Sequence, residues 1–137
     1  MPPEIGNLHN LEYLDLWNTD IVALPPEIQY LTNLQELYVV NTELTSLPPE
    51  IGQLNNLEIL YLSSNPNLTQ LPPEIGSLSR LEYLTTPCTT PYMPDEILNL
   101  ESLRELHCSN NNIPVADIVW QMDHLEVLGV WGSINSN

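Results

Sequence analysis

Acid–base, nucleophilic or metal chemistry in this chain would have to come from three histidines, two cysteines and eighteen carboxylates. His9, His107 and His124 stand at unrelated places in the chain's recurring pattern, so their spacing indicates neither a metal cluster nor a nucleophile–base pair. His107 near Glu105 reads as a surface polar group, and Cys108 as a small buried hydrophobe in a leucine slot. Cys88 falls on the neighbouring strand, offset by two positions, which leaves a bridge to Cys108 open. Phosphate-binding loops and basic patches are absent from the sequence. No catalytic residue, metal ligand or cofactor is therefore assigned, and the chain reads as a non-enzyme.

A second kind of chemistry, recognition, is better supplied. Tyr13, Asp15, Trp17, Tyr38, Tyr61, Tyr83, Thr85, His107 and Trp131 all fall between leucines of a period-2 pattern, on the side facing away from the core. Tyr38 and Tyr61 are expected to be vertical neighbours, with Asp15 below and Thr85 and His107 above. Aromatic side chains on an open face are typical interface anchors, and without a partner they are a liability. Tyrosine also suits strands intrinsically, which is the plainer account of the same residues.

These positions are set by a repeat. Leu47, Ile51, Leu54 and Leu57 have the i, i+4, i+7 spacing of a short helical turn; Leu57, Leu60 and Leu62 then alternate as a strand, closed by Asn65. Strands open at Leu11, Leu34, Leu57, Leu81, Leu103 and Leu125, giving intervals of 23, 23, 24, 22 and 22 residues. Such a period predicts a solenoid in which each unit buries its apolar edge against its neighbours. Six parallel strands are expected near 11–16, 34–39, 57–62, 81–86, 103–108 and 125–130, in one domain spanning 1–137. Pro-Pro-Glu-Ile at 2–5, 25–28, 48–51 and 72–75 starts each return segment, with proline where its missing N–H does no harm and Glu at the positive end of the helix dipole. The return helices, about two turns long, are too short to stand without packing. Thr19, Thr42, Asn65, Thr89, Asn111 and Ser133 occupy the slot where the chain leaves the sheet, each with an oxygen able to bond backbone.

The text LPPEIGxLxxLExLxLxxNxLTxLPPEI resembles the leucine-rich repeat, in the LPxxI-bearing class of Ras-suppressor-like, plant intracellular Ras-group and bacterial repeat proteins, and the resemblance covers essentially the whole chain. It implies an α/β solenoid: a right-handed superhelix with parallel strands on the concave face, short helices or 3-10 turns on the convex face, and a role in protein–protein interaction.

Acidic residues number 18 against Arg80 and Arg104, with no lysine, for a formal charge of −16. Nothing here would displace counterions from a phosphate backbone, which argues against nucleic acid, and an anionic membrane is equally disfavoured. A protein partner with a basic or mixed surface is compatible. Two carboxylate ladders are expected: Glu12, Glu58, Glu82 and Glu126 on the concave face, interrupted by Gln35 and Arg104, and Glu4, Glu27, Glu50, Glu74 and Glu96 on the convex side. Helix-dipole compensation explains the second ladder better than shared calcium does, because clustered Asp-x-Asp ligands are missing. No signal peptide or membrane span is read, which makes the cytoplasm the default compartment.

Two departures stand out. Thr86 takes a core slot and Pro87 follows it, so the fourth strand is expected to be shortened or bulged. Drift in a tolerant repeat is one reading; a dent beside Thr85, Pro87, Thr89 and Tyr92 that accepts a partner side chain is the other. The ends show no obvious caps. Met1, Ile5, Leu11, Leu14, Leu125, Leu128 and Val130 could then stack head to tail, making a self-assembling filament or array the alternative function and a homo-oligomer the alternative partner.

Overall fold

The computed structural model describes residues 1–87, 93–109 and 117–131. The first five return segments are entered through a proline, Pro2, Pro25, Pro48, Pro72 or Pro94, held at extended angles such as φ −74°, ψ 155° at Pro25. The turn that follows is a five-residue 3-10 helix: η1 Pro3–Asn7, η2 Pro26–Tyr30, η3 Pro49–Gln53, η4 Pro73–Ser77, η5 Asp95–Asn99 and η6 Asp117–Gln121. Among the described residues there is no α-helix, and no helix long and apolar enough to cross a membrane.

Of the short helices or 3-10 turns expected on the convex face, the structure has the 3-10 form, and the sequence contains the reason. After each proline the bonded residues recur every three positions. In the second repeat Ile28 N–H donates to the Pro25 carbonyl at 3.0 Å, Leu31 to Ile28 at 3.1 Å and Leu34 to Leu31 at 3.0 Å. A three-residue period is that of the 3-10 helix, whose i and i+3 side chains eclipse. Ile28, Leu31 and Leu34 therefore all point the same way and are fully buried. Prolines 25 and 26 have no N–H to lose at this entry.

The strands are β1 Tyr13–Asp15, β2 Glu36–Tyr38, β3 Ile59–Tyr61, β4 Tyr83–Pro87, β5 Glu105–Ser109 and β6 Val127–Trp131. They form one parallel sheet in the order β1-β2-β3-β4-β5-β6. They begin two residues after the leucine that opens each apolar pattern. The residues before them already hang on the previous strand: Gln35 and Glu36 N–H both donate to the Glu12 carbonyl, and Glu58 and Ile59 N–H to that of Gln35.

The core lies between sheet and turns. Leu37, Leu60, Leu84 and Leu106 from the strands meet Ile51, Ile75, Ile97 and their neighbours from the turns, all at zero exposure. Full burial of such a side chain stabilises by roughly 1.5–3 kcal/mol, and this term, rather than the short turns themselves, holds the repeats. At the two ends the same slots are less covered. Met1, Ile5, Leu11, Leu14, Leu125 and Leu128 are only partly buried against the core, and Val130 is 48% exposed.

One irregularity resolves differently from expectation. β4 is neither shortened nor bulged: it runs through Pro87, with Thr86 paired to Cys108 and Pro87 to Ser109. In this register an N–H at position 87 would face the Leu62 carbonyl, and that carbonyl accepts from Asn65 Nδ2 at 2.8 Å instead. A parallel strand bonds its two neighbours with alternate residues, so a proline there removes a bond on one side only. Thr86 sits in the core slot at 1% exposure. Thr89 and Tyr92 of the supposed dent lie outside the described residues, as do Cys88, Asn111 and Ser133. Cys108 carries a free thiol; burial pushes its pKa up, opposed by a hydrogen bond with Thr86.

Candidate functional site: an aromatic ladder on the open sheet face

The register aligns Asp15, Tyr38, Tyr61, Thr85 and His107 in one column across β1 to β5. The adjacent column holds Tyr13, Glu36, Ile59, Tyr83 and Glu105. Both face away from the core, because Leu14, Leu37, Leu60, Leu84 and Leu106 alternate with them inward.

The rings do not stay in one column. Tyr13 meets Tyr38 at 5.3 Å between centroids with an interplanar angle of 43°. Tyr38 stacks on Tyr61 at 5.2 Å and 14°. Tyr61 then crosses to Tyr83 at 5.0 Å and 23°, and Tyr83 crosses back to His107 at 5.0 Å and 29°. The result is a continuous stack over five strands that changes column twice beyond Tyr61. Its pitch matches the strand spacing, about 4.8 Å, and offset stacking of this kind adds roughly 0.5–1.5 kcal/mol per pair.

The cause of the crossing is Thr85. It follows Tyr61 in the column, is too small to stack, and is buried at 3% exposure. Its hydroxyl accepts from Leu62 N–H at 2.9 Å and from the Ser63 hydroxyl at 3.0 Å. Thr85 is thus a buried support and not a displayed side chain, which corrects its placement on the open surface. His107 lies against Tyr83 on one side, and on the other a side chain at position 129 would collide with its Nδ1, so Gly129 makes room for the last rung. The glycine was the missed signal for that rung.

Polar contacts fix the ring edges. Tyr38 hydroxyl donates to Glu36 Oε2 at 3.0 Å. Tyr13 hydroxyl makes a longer contact, 3.4 Å, with Asp15 Oδ2, whose Oδ1 accepts from Trp17 N–H at 2.9 Å. The Tyr61 and Tyr83 hydroxyls share a hydrogen bond of 2.8 Å; since each carries one proton, the pair retains one donor for another acceptor. His107 Nε2 lies 3.3 Å from Glu105 Oε2. Burial, then the bond to Glu36, pushes the Tyr38 phenol up to about 12. Tyr83 is raised further, by burial first and then by the Tyr61 bond. Tyr13 is also raised, by partial desolvation and then Asp15. These phenols stay neutral donors at ordinary pH and do not act as nucleophiles or bases.

Of the other candidate residues, Tyr13 is 50% exposed and Trp17 60% exposed. Trp131 ends β6, and its side chain lies outside the described residues. His9 and His124 sit elsewhere, against the carbonyls of Tyr30 at 3.3 Å and Leu100 at 2.9 Å respectively. In the marginal carboxylate ladder, Glu58 pairs with Arg80 at 2.6 Å and Glu126 pairs with Arg104. On the opposite face Glu4, Glu27, Glu50, Glu74 and Glu96 each stand in the first turn of their 3-10 segment.

Among the described residues, six parallel strands in one open sheet, each preceded by a 3-10 turn, define a repeat solenoid. The chain belongs to the leucine-rich-repeat family. The family described as a leucine-rich repeat region matches residues 37–133, and that described as leucine-rich repeats in two copies matches residues 9–50. The chain is similar to the solved structure of a leucine-rich-repeat protein of Leptospira interrogans, with 37% identity and a TM-score of 0.81, over 96% of this chain and 34% of that one. It is similar also to the leucine-rich repeat domain of the type III effector XopL, at 25% identity and a TM-score of 0.81, over 96% and 48%. The ectodomain of the Arabidopsis thaliana receptor kinase GASSHO1/SCHENGEN3, solved with Casparian strip integrity factor 2, shares the fold at 24% identity and a TM-score of 0.74, over 96% and 16%. The chain thus spans about a third of the Leptospira protein and about half of the effector domain. A search of curated proteins returned no significant match. Leucine-rich-repeat folds commonly serve as protein-interaction modules, and such proteins are typically non-enzymatic.

Proposed function

We propose that this chain binds a protein partner, of basic or mixed surface, on the open face of its sheet. The ladder of Tyr13, Tyr38, Tyr61, Tyr83 and His107 carries this reading. Stacked rings locked by their own hydroxyl bonds form a rigid surface, and a rigid surface loses little entropy when a partner covers it. Core packing gives no reason for five aromatic rings on the solvent side of a sheet whose core is complete without them. Asp15 and Trp17 extend the same face, while Thr85 contributes from beneath it.

The test is a selection from a displayed random peptide library, run in parallel on the wild-type chain and on Tyr38→Ala/Tyr61→Ala. The double variant is expected to keep its circular dichroism and cooperative unfolding and to lose about a hundredfold in affinity for peptides enriched by the wild type, as for removal of two interface anchors. The same peptides enriched with equal affinity by both proteins would show that binding is elsewhere.

A further inference from the structure

The charge on this face is unevenly distributed, and the unevenness says what kind of segment fits it. The chain has only two cationic side chains besides its histidines, Arg80 and Arg104. Both are committed at the sheet margin: Arg80 bonds Asn56 Oδ1 and Glu58 Oε1, and Arg104 bonds Glu126. Their ion pairs serve repeats three, four, five and six. Over β1 and β2 stand Glu12, Asp15 and Glu36, and none has a cationic partner among the described residues, whereas of Glu58, Glu82, Glu105 and Glu126 over the later strands two pair with arginine and Glu105 lies against His107. Asp15 and Glu36 are also the carboxylates that hold the hydroxyls of Tyr13 and Tyr38, so each is oriented beside a ring. Tyr13 stacks on Tyr38 alone among the described residues and is half exposed, as is Trp17.

We propose that the occupant of the face is an extended segment of a protein partner bearing arginine or lysine, with its cationic residues seated over β1 and β2 and its uncharged residues along Tyr61 and Tyr83. The inference rests on the open-face reading above and adds the partner's chemistry and direction. Carboxylates beside exposed rings suit a guanidinium or ammonium group, which gains both an ion pair and contact with the π face. Rungs about 5 Å apart over five strands make the site long and narrow. An extended segment, rising about 3.3 Å per residue, follows such a track with roughly six residues.

The binding of three synthetic peptides would be measured by fluorescence anisotropy at low and high salt: one alternating arginine with serine, one lysine with serine, and one glutamine with serine. On the protein side, Asp15→Asn/Glu36→Gln is compared with Glu27→Gln/Glu50→Gln, which removes the same charge from the opposite face. The first pair should weaken the arginine and lysine peptides by about tenfold and flatten their salt dependence; the second should change either by less than about twofold. Equal losses from both pairs would reduce the effect to general attraction by an acidic protein and overturn the proposal. So would a glutamine peptide that binds as tightly as the arginine one. If Tyr38→Ala/Tyr61→Ala then abolishes binding of that neutral peptide, the face stands and only its charge preference falls. If the tyrosine variant binds the arginine peptide undiminished, the face itself is wrong.

Discussion

The sheet changes character between β3 and β4. β1, β2 and β3 are three residues long, and each passes within three residues into a left-handed backbone: Asn18 at φ 55°, Asn41 at 52° and Ser64 at 59°. β4, β5 and β6 are five residues long and keep pairing through Thr86, Cys108 and Val130 to Pro87, Ser109 and Trp131. The leucine pattern is common to both halves, so it does not decide where a strand stops. The residues after it decide. Asn adopts the left-handed region at little cost because its short polar side chain bonds locally, and Asn41 Nδ2 donates to Asn18 Oδ1 at 2.6 Å. Asn65 fastens the same corner from inside: its Oδ1 accepts from Thr42 N–H at 3.0 Å and from the Thr42 hydroxyl at 2.6 Å, and its Nδ2 donates to the carbonyls of Val39 and Leu62. The halves differ in charge as well, with both arginines on the longer-stranded side.

The largest expected effect tests that fastening. Asn65 is fully buried, and Asn65→Ala strips partners from two buried carbonyls and from Thr42. A loss of about 3–5 kcal/mol is expected in urea unfolding. In the other half Thr86→Val, which removes a hydroxyl hydrogen-bonded with Cys108, should cost about 1 kcal/mol. Similar costs for the two variants would show that both halves close their strands by the same means.

How far the sequence discloses all this depends on which interaction sets each feature. Strand order and register are readable because a leucine every second position and a period near 23 residues leave no other consistent pairing; Asp15, Tyr38, Tyr61, Thr85 and His107 do share one column. The turn type was obscured by Leu24 and Leu47, one residue ahead of the proline, which make a three-residue period resemble a helical one. The ladder's path is harder still. It depends on Thr85 leaving a gap above Tyr61, on Tyr83 reaching across from the next column, and on Gly129 clearing space for His107. Each is a matter of side-chain volume across strands, and no period along the chain encodes it.

The ladder runs through both halves, so its titration tests whether they act as one surface. Tyr38 is raised from 10.0 to about 12 and Tyr83 is raised further, chiefly by burial. The folded chain therefore retains protons that the unfolded chain releases above pH 10. With more protons bound in the native state, stability falls as pH rises from about 10 toward 12, and is unaffected by these groups below about 9. Tyrosinate absorbance should show part of the phenol population ionising late, together with unfolding. Tyr38→Phe should reduce the slope of stability against pH in that window; an unchanged slope would mean that Tyr38 ionises as freely as an exposed phenol.

The smallest effect concerns the arginines that distinguish the two sides in charge. Arg80 is more than half exposed, and its 2.6 Å contact with Glu58 lies at the solvent margin. Such pairs contribute about 0.2–1 kcal/mol at most, because water and salt screen them. Arg80→Gln should thus shift the unfolding midpoint only slightly, and less at high salt, since glutamine can still bond Asn56 and Glu58. Its effect on binding should be the opposite in sign. With Glu58 no longer neutralised, a fourth uncompensated carboxylate joins Glu12, Asp15 and Glu36, so a cationic peptide should bind more tightly than it does to the wild type, although the fold is slightly weaker. A variant that loses stability and affinity together would instead place Arg80 in the binding surface, and the acidic half would no longer be set apart from its neighbour by charge.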